Sequence, residues 1–180
     1  MQRYVAFLRG MNLGNRRITN EELRGHFEAM GLAAVAAFRA SGNVIVAVDP
    51  GEAEAKLATR VEAELDARLG YDVPVFLRSA AELAAIASHE PFDSQLVAAS
   101  KGKLQVQFLA GAPAARARRE ALGLASDEDR LAIAGRELYW LPSGGLSESD
   151  LDLKAIERAL GPGTTRTMGT VAQIAAKHCT

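Results

Sequence analysis

The stretch "AAVAAFRASGNVIVAV", Ala33 to Val48, decides the fold. By propensity its first half suits a helix, because alanine loses no side-chain freedom there. Its second half, "NVIVAV", is short and β-branched, which suits a strand. Ser41-Gly42 stands between the two runs, and a turn pair flanked by two such runs predicts a hairpin. We therefore read both halves, Ala33 to Ala40 and Asn43 to Val48, as strands joined by a tight turn.

Working outward, "YVAFL" (Tyr4 to Leu8) predicts a buried strand. Thr19 with Glu22 three residues on is a capping-box signature, so a helix should run from there to Met30 and stop at Gly31. Beyond the hairpin, Asp49-Pro50-Gly51 breaks the chain, and Glu52 to Leu69 carries Ala, Leu and Val along one helical face. Gly70-Tyr71-Asp72 then turns into "VPVFLR", Val73 to Arg78, whose Pro74 suits a strand start or an edge. The order βαββαβ is that of the split βαβ, or ferredoxin-like, unit: four antiparallel strands with two helices on one face.

The remainder predicts a second, incomplete copy. Ala80 to Ser88 reads as a linking helix and "HEPFD" as a loop. Lys103 to Ala110 alternates as a strand, Pro113 to Gly123 is helical, and Asp129 to Ile133 with Glu137 to Leu141 form a strand pair around Ala134-Gly135-Arg136. A helix from about Asp150 to Leu160 and a final one after "TTRT" close the chain. The expected class is α+β, two ferredoxin-like halves at 1–79 and 80–180, the second incomplete and carrying extra C-terminal helices.

This topology brings loops together. The first strand's exit, the hairpin and the turn before the fourth strand all fall at one end of the sheet. The first of these loops lies in "LRGMNLGNRR", Leu8 to Arg17. Glycine and asparagine there, with arginine and a helix start behind them, suit an anion, since free backbone N–H groups and guanidinium both donate to oxygen anions. The duller reading is turn chemistry: Gly10 and Gly14 allowing positive φ, Asn12 and Asn15 bracing turns, Ser41-Gly42-Asn43 making a hairpin. The spacing matches neither familiar phosphate-loop signature.

Composition narrows the class. Of 180 residues 48% are hydrophobic, enough for a core, and Lys+Arg 21 against Asp+Glu 22 leaves a net charge of −1. A protein with no global positive field is not expected to coat nucleic acid or anionic membrane, so any anion site must be local. "NVIVAV" also lacks the aromatics that RNA-recognition sheets use for stacking. The single cysteine, Cys179, excludes an internal disulfide, and His26, His89 and His178 lack metal-ligand spacing. No apolar run is long enough to span a bilayer and no leader pattern opens the chain, so the expectation is a cytoplasmic protein without metal or cofactor. The acidic run Glu148, Asp150 and Asp152 sits at a helix start, where carboxylates complement the dipole.

Three stretches, "LRGMNLG", "ASGNV" and "TTRTMGTV", occur in the order in which the signatures of the bacterial domain-of-unknown-function 1697 family occur, and the chain resembles that family over essentially its whole length. The resemblance implies two ferredoxin-like halves in a cytoplasmic protein with no assigned activity. It carries over to Arg9, Gly10, Asn12 and Gly14, to Ser41, Gly42 and Asn43, and to Thr164, Thr165 and Arg166. After that arginine the family usually reads Asn-Trp-Asn, whereas this chain has Thr167-Met168-Gly169, so an aromatic surface is missing.

The expected function is binding of a small phosphorylated or otherwise anionic ligand by Arg9, Gly10, Asn12, Gly14, Asn15, Arg16, Ser41, Gly42 and Asn43, with Thr164, Thr165 and Arg166 from the second half. One alternative is an acylphosphatase-like hydrolase, by analogy of layout, with Asn43 positioning the attacking water. The other is a non-catalytic dimerisation module in which a second copy covers sheet edges or an open sheet face.

Overall fold

The computed structural model describes residues 1–39 and 42–179. Among them are eight strands in two four-stranded antiparallel sheets and seven α-helices, a mixed α+β architecture. The chain divides into two compact units, one of Met1–Ile86 with the residues from Ile174 on, the other of Ala87–Gln173.

The first unit runs β1 (Gln2–Leu8), α1 (Asn20–Ala29), β2 (Ala33–Ala37), β3 (Asn43–Val48), α2 (Glu54–Leu69), β4 (Val75–Ser79), followed by α3 (Ala80–Ser88). Its sheet order is β2-β3-β1-β4. The alanine-rich run is a strand: Ala37 faces Val44, Ala36 faces Ile45 and Ala33 faces Ala47, with one extra residue on β2 between the last two. Pairing along β3 overrides alanine's helical preference, and the bulge at Ala34, whose φ is 49°, disrupts an edge that would otherwise template further strands.

Alternation assigns the faces. Tyr4, Ala6, Leu8, Val44, Val46, Val48, Val75 and Leu77 point to Leu23 and Phe27 of α1 and to Leu57, Val61 and Leu65 of α2 in one core. The opposite face, with Val5, Phe7, Ile45 and Phe76, is buried within the single chain too. A strand covered on both faces reads as a continuous apolar run, which is why "NVIVAV" does not alternate.

Helix α1 starts as its sequence predicts. The Thr19 hydroxyl accepts from the Glu22 amide (3.1 Å), and the Glu22 carboxylate accepts from the Thr19 amide (2.7 Å) and hydroxyl (2.9 Å). The Thr19 amide, and then its hydroxyl, hold the Glu22 carboxyl below its ordinary value of 4.5. A carboxyl depressed on folding contributes stability above its unfolded value and loses it as pH falls through the folded one. Glu22→Gln keeps an acceptor without a titrating proton, so its Tm deficit relative to wild type should be widest near neutrality and narrow as pH drops below 4.5. Thermal melts between pH 7 and 3 will read this; a constant gap would mean that the box contributes nothing through charge.

The second unit contains α4 (Ser94–Ala99), β5 (Gln105–Leu109), α5 (Ala115–Leu122), β6 (Asp129–Ala134), β7 (Glu137–Pro142), a 3-10 turn at Leu146–Glu148, α6 (Leu153–Leu160), β8 (Gly163–Thr167) and the start of α7 (Met168–His178). Sheet order is β6-β7-β5-β8. Ala121, Ile133, Leu138 and Ile156 form a core beneath α5 and α6. The expectation of an incomplete second copy is corrected by β8, which pairs along β5 from Gln105↔Thr167 to Leu109↔Gly163. The final helix starts after "TTRT" as expected, and the three β-branched threonines within those four residues suit the strand that they form. The opening hydroxyl is Thr167, which accepts from the Thr170 amide (3.2 Å). One C-terminal helix, α7, follows the second sheet rather than several. Among the described residues no helix is long and apolar enough to cross a membrane.

Candidate functional site

In the first sheet Leu8 lies opposite Val75 and Phe7 opposite Asn43, so the exit of β1 and the entries of β3 and β4 share one end. Backbone bonds tie the three loops: the Leu8 amide donates to the Gly42 carbonyl (2.8 Å) and the Arg9 amide to the Pro74 carbonyl (3.0 Å). Gly42 has φ +70°, and a Cβ there would stand 2.9 Å from Met11 Cγ and 3.1 Å from Leu8 Cβ. Met11 in turn is buried in the core, anchoring the 9–17 loop from inside.

Gly10, Asn12 and Gly14 all have positive φ, at 75°, 57° and 57°. Asparagine tolerates that region better than most residues, and the Asn12 Oδ1 accepts from the Ile18 amide (2.9 Å), closing the loop onto the start of α1. These three shape the loop. Asn43 is 1% exposed and its Nδ2 donates to the Phe38 carbonyl (3.0 Å), fastening the hairpin. An amide buried and bonded in that way is not available to position a water on an exposed ligand. Arg9 is half-buried. Ser41 lies outside the described residues.

The helix start, expected to seat an anion, is occupied by the chain's own Glu22 carboxylate. The charge that remains accessible is on side chains. The Arg16 guanidinium lies over the Tyr71 ring, 4.0 Å from its centroid. Arg16 and Arg17 are exposed, and neither pairs with a carboxylate among the described residues. Together with Asn15, Ile18, Glu22, His26, Arg68, Leu69 and Tyr71 they line a cleft of about 340 Å³. Arg68 is shared with Glu64 (3.2 Å), one helical turn back on α2.

Thr164, Thr165 and Arg166 belong to β8 of the second unit. Thr164 is buried, and the Arg166 Nη1 donates to the Thr164 Oγ1 (2.8 Å) and the Thr165 carbonyl (2.8 Å). Burial pushes the Arg166 guanidinium down to about 10. These two bonds lie within its own strand.

Of the cleft's lining only Asn15 and Arg16 are among the residues expected from the sequence; Arg17, Ile18, Glu22, His26, Arg68, Leu69 and Tyr71 are not. Arg17 was in view within "LRGMNLGNRR". His26 lies one turn after Glu22 on α1, and Arg68 and Tyr71 straddle the end of α2, where Gly70 is left-handed. Helical spacing could have placed His26 beside Glu22, but Tyr71 needed the loop conformations.

The second unit holds a cavity of about 450 Å³ lined by Ser126, Glu128, Asp129, Ser143, Glu148 and neighbours. Its carboxylates brace the fold. Asp129 Oδ1 accepts from Trp140 Nε1 (2.7 Å) and the Ser149 hydroxyl (2.8 Å), Glu128 from the Ser143 hydroxyl, and Glu148 from the Gly145 amide (2.9 Å). Asp152 caps α6 through the Ala155 amide (2.8 Å), as its place at a helix start implied. Among the described residues no group of three or more His, Cys, Asp or Glu could hold a metal ion.

Fold and cleft thus define an α+β protein of two antiparallel sheets with a small basic cleft in the first unit. The chain belongs to the family of proteins of unknown function DUF1697, whose model matches residues 1–139. The match contains "LRGMNLG" and "ASGNV" and ends before "TTRTMGTV". The structure of a conserved bacterial protein from Streptococcus pneumoniae is similar, with a TM-score of 0.74 over 98% of this chain and 99% of that one at 17% identity, a likeness of fold. No curated protein matches the chain in sequence.

Proposed function

We propose that the chain binds a small anionic, phosphate-bearing ligand in the cleft of Arg16, Arg17, His26 and Arg68, with the 10–17 loop as its wall. The observation that carries this reading is the Arg16–Tyr71 stack. A guanidinium laid on a ring is held in place while its N–H edge stays free to donate, and no carboxylate neutralises it. Arg17 beside it adds a second exposed cation, enough for a local site on a chain of net charge −1. Backbone N–H groups at the helix start play no part in this version, and Asn43 acts through the hairpin. We read the two βαββαβ units as ferredoxin-like halves, a scaffold that gathers the loops after β1 and before β3 and β4 at one end.

Inorganic phosphate at about ten times its dissociation constant should stabilise the wild type by about 1.4 kcal/mol, a Tm rise of about 4 °C for a chain of this size. The R16A/R17A double variant, altered at exposed positions, should melt near the wild-type temperature without phosphate and lose the rise with it. Equal protection of both proteins at fixed ionic strength would end this reading.

A further inference from the structure

The cleft has features that a bare phosphate does not need. Its volume, about 340 Å³, reaches the range of small-molecule sites. Ile18, Leu69 and Tyr71 contribute apolar surface, and each packs against the first unit's core. The Arg16 Cζ lies over the Tyr71 ring, 4.0 Å from its centroid, and Arg16 is an exposed residue. A planar cation fixed in that way is a platform on which an aromatic base can stack, extending ring, guanidinium and base into one column. Arg17, exposed and without a carboxylate partner among the described residues, is left to meet the negative end of the same molecule.

Resting on the anion-site reading above, we propose that the ligand is a mononucleotide, its phosphate met by Arg17 with Arg68 and its base stacked on the Arg16–Tyr71 pair. The column explains why an arginine rather than a lysine suits position 16, since an ammonium has no flat face. Charge alone would treat all phosphate monoesters alike, whereas stacking selects those that carry a ring.

Calorimetric titration of the full chain with adenosine 5′-monophosphate, ribose 5-phosphate and inorganic phosphate tests this. One stacked base should make the nucleotide bind about tenfold more tightly than ribose 5-phosphate. Arg16→Lys keeps the charge and removes the flat face, and Tyr71→Leu keeps an apolar contact and removes the ring. In each the ratio should fall to about one, with folding of each variant checked by circular dichroism. A ratio near one in the wild type, or a tenfold ratio kept in Arg16→Lys, overturns the nucleotide assignment while the anion site stands. Failure of all three compounds to bind the wild type overturns the anion site itself, and this proposal with it.

Discussion

Alanine at position 42 should destabilise the first unit by about 3 kcal/mol, combining the cost of a left-handed residue with a Cβ, about 1 kcal/mol, and that of overpacking, about 2 kcal/mol. The clash has a fixed side and a yielding side. Met11 Cγ, 2.9 Å from the new methyl, can swing away, but Leu8 Cβ at 3.1 Å and the Leu8 carbonyl at 3.3 Å belong to a central strand and cannot. The expected fall in Tm is about 9 °C at the usual few degrees per kcal/mol for a chain of this length. Gly31→Ala supplies the control: φ there is +77°, yet a Cβ would meet nothing within 4 Å. Its cost should be about 1 kcal/mol, that of backbone conformation alone. Equal losses at the two positions would show that contact with the β1 loop is irrelevant to the hairpin.

The second large effect is expected at Phe27. Its side chain is fully buried and lies among Leu23, Leu57, Val61 and the strand residues beneath α1 and α2. Phe27→Ala removes that contact and leaves a cavity which neighbours on two helices and a sheet can close only in part, a loss of about 4 kcal/mol. Alanine's better helix propensity returns at most a few tenths of this. Urea unfolding followed by far-ultraviolet circular dichroism should give a lower midpoint with an unchanged slope. A change in slope instead would mean that the native state had loosened.

Much of the first unit was legible because each boundary carries its own chemistry. Thr19 and Glu22 predicted where α1 starts, Gly70 where α2 ends, and the Ser41-Gly42 pair allowed an alanine-rich run to be recognised as a strand despite its propensity. The second sheet was harder to complete. "TTRT" offered hydroxyls suited to a helix cap and β-branched carbons suited to a strand, and only the pairing partner at Gln105 to Leu109 decides between them. Helix α4 was missed for a similar reason: "SQLVAA" is short, and its cap is Asp93, at the end of a segment read as loop.

The candidate site was legible as a neighbourhood rather than as a list of contacts. Strand order brings the loops after β1 and before β4 to one end, where Asn15, Arg16 and Tyr71 line the cleft, but Gly42 and Asn43 of the hairpin are not among its lining residues. Which side chains stay accessible depends on competition within the loops. Asn12 and Asn43 looked suited to a ligand but are engaged by backbone groups six and five residues away. Glu22 serves the helix start on which an anion was expected. Topology puts the Gly70-Tyr71-Asp72 turn at the same end as the 8–17 loop, but nothing in the sequence says that the Tyr71 ring will lie under an arginine 55 positions earlier in the chain.

Trp140 is the only tryptophan in the chain. It sits on β7, 9% exposed, with its indole N–H donated to Asp129. Its emission is thus a built-in optical probe of the second unit, while Gly42, Phe27 and the basic cleft all belong to the first. Following a melt by tryptophan fluorescence and by backbone circular dichroism in one sample therefore separates the two units without any label. Coincident curves would mean one cooperative transition, and an early loss of ellipticity ahead of the fluorescence change would mean that the first unit can come apart while the second is still folded.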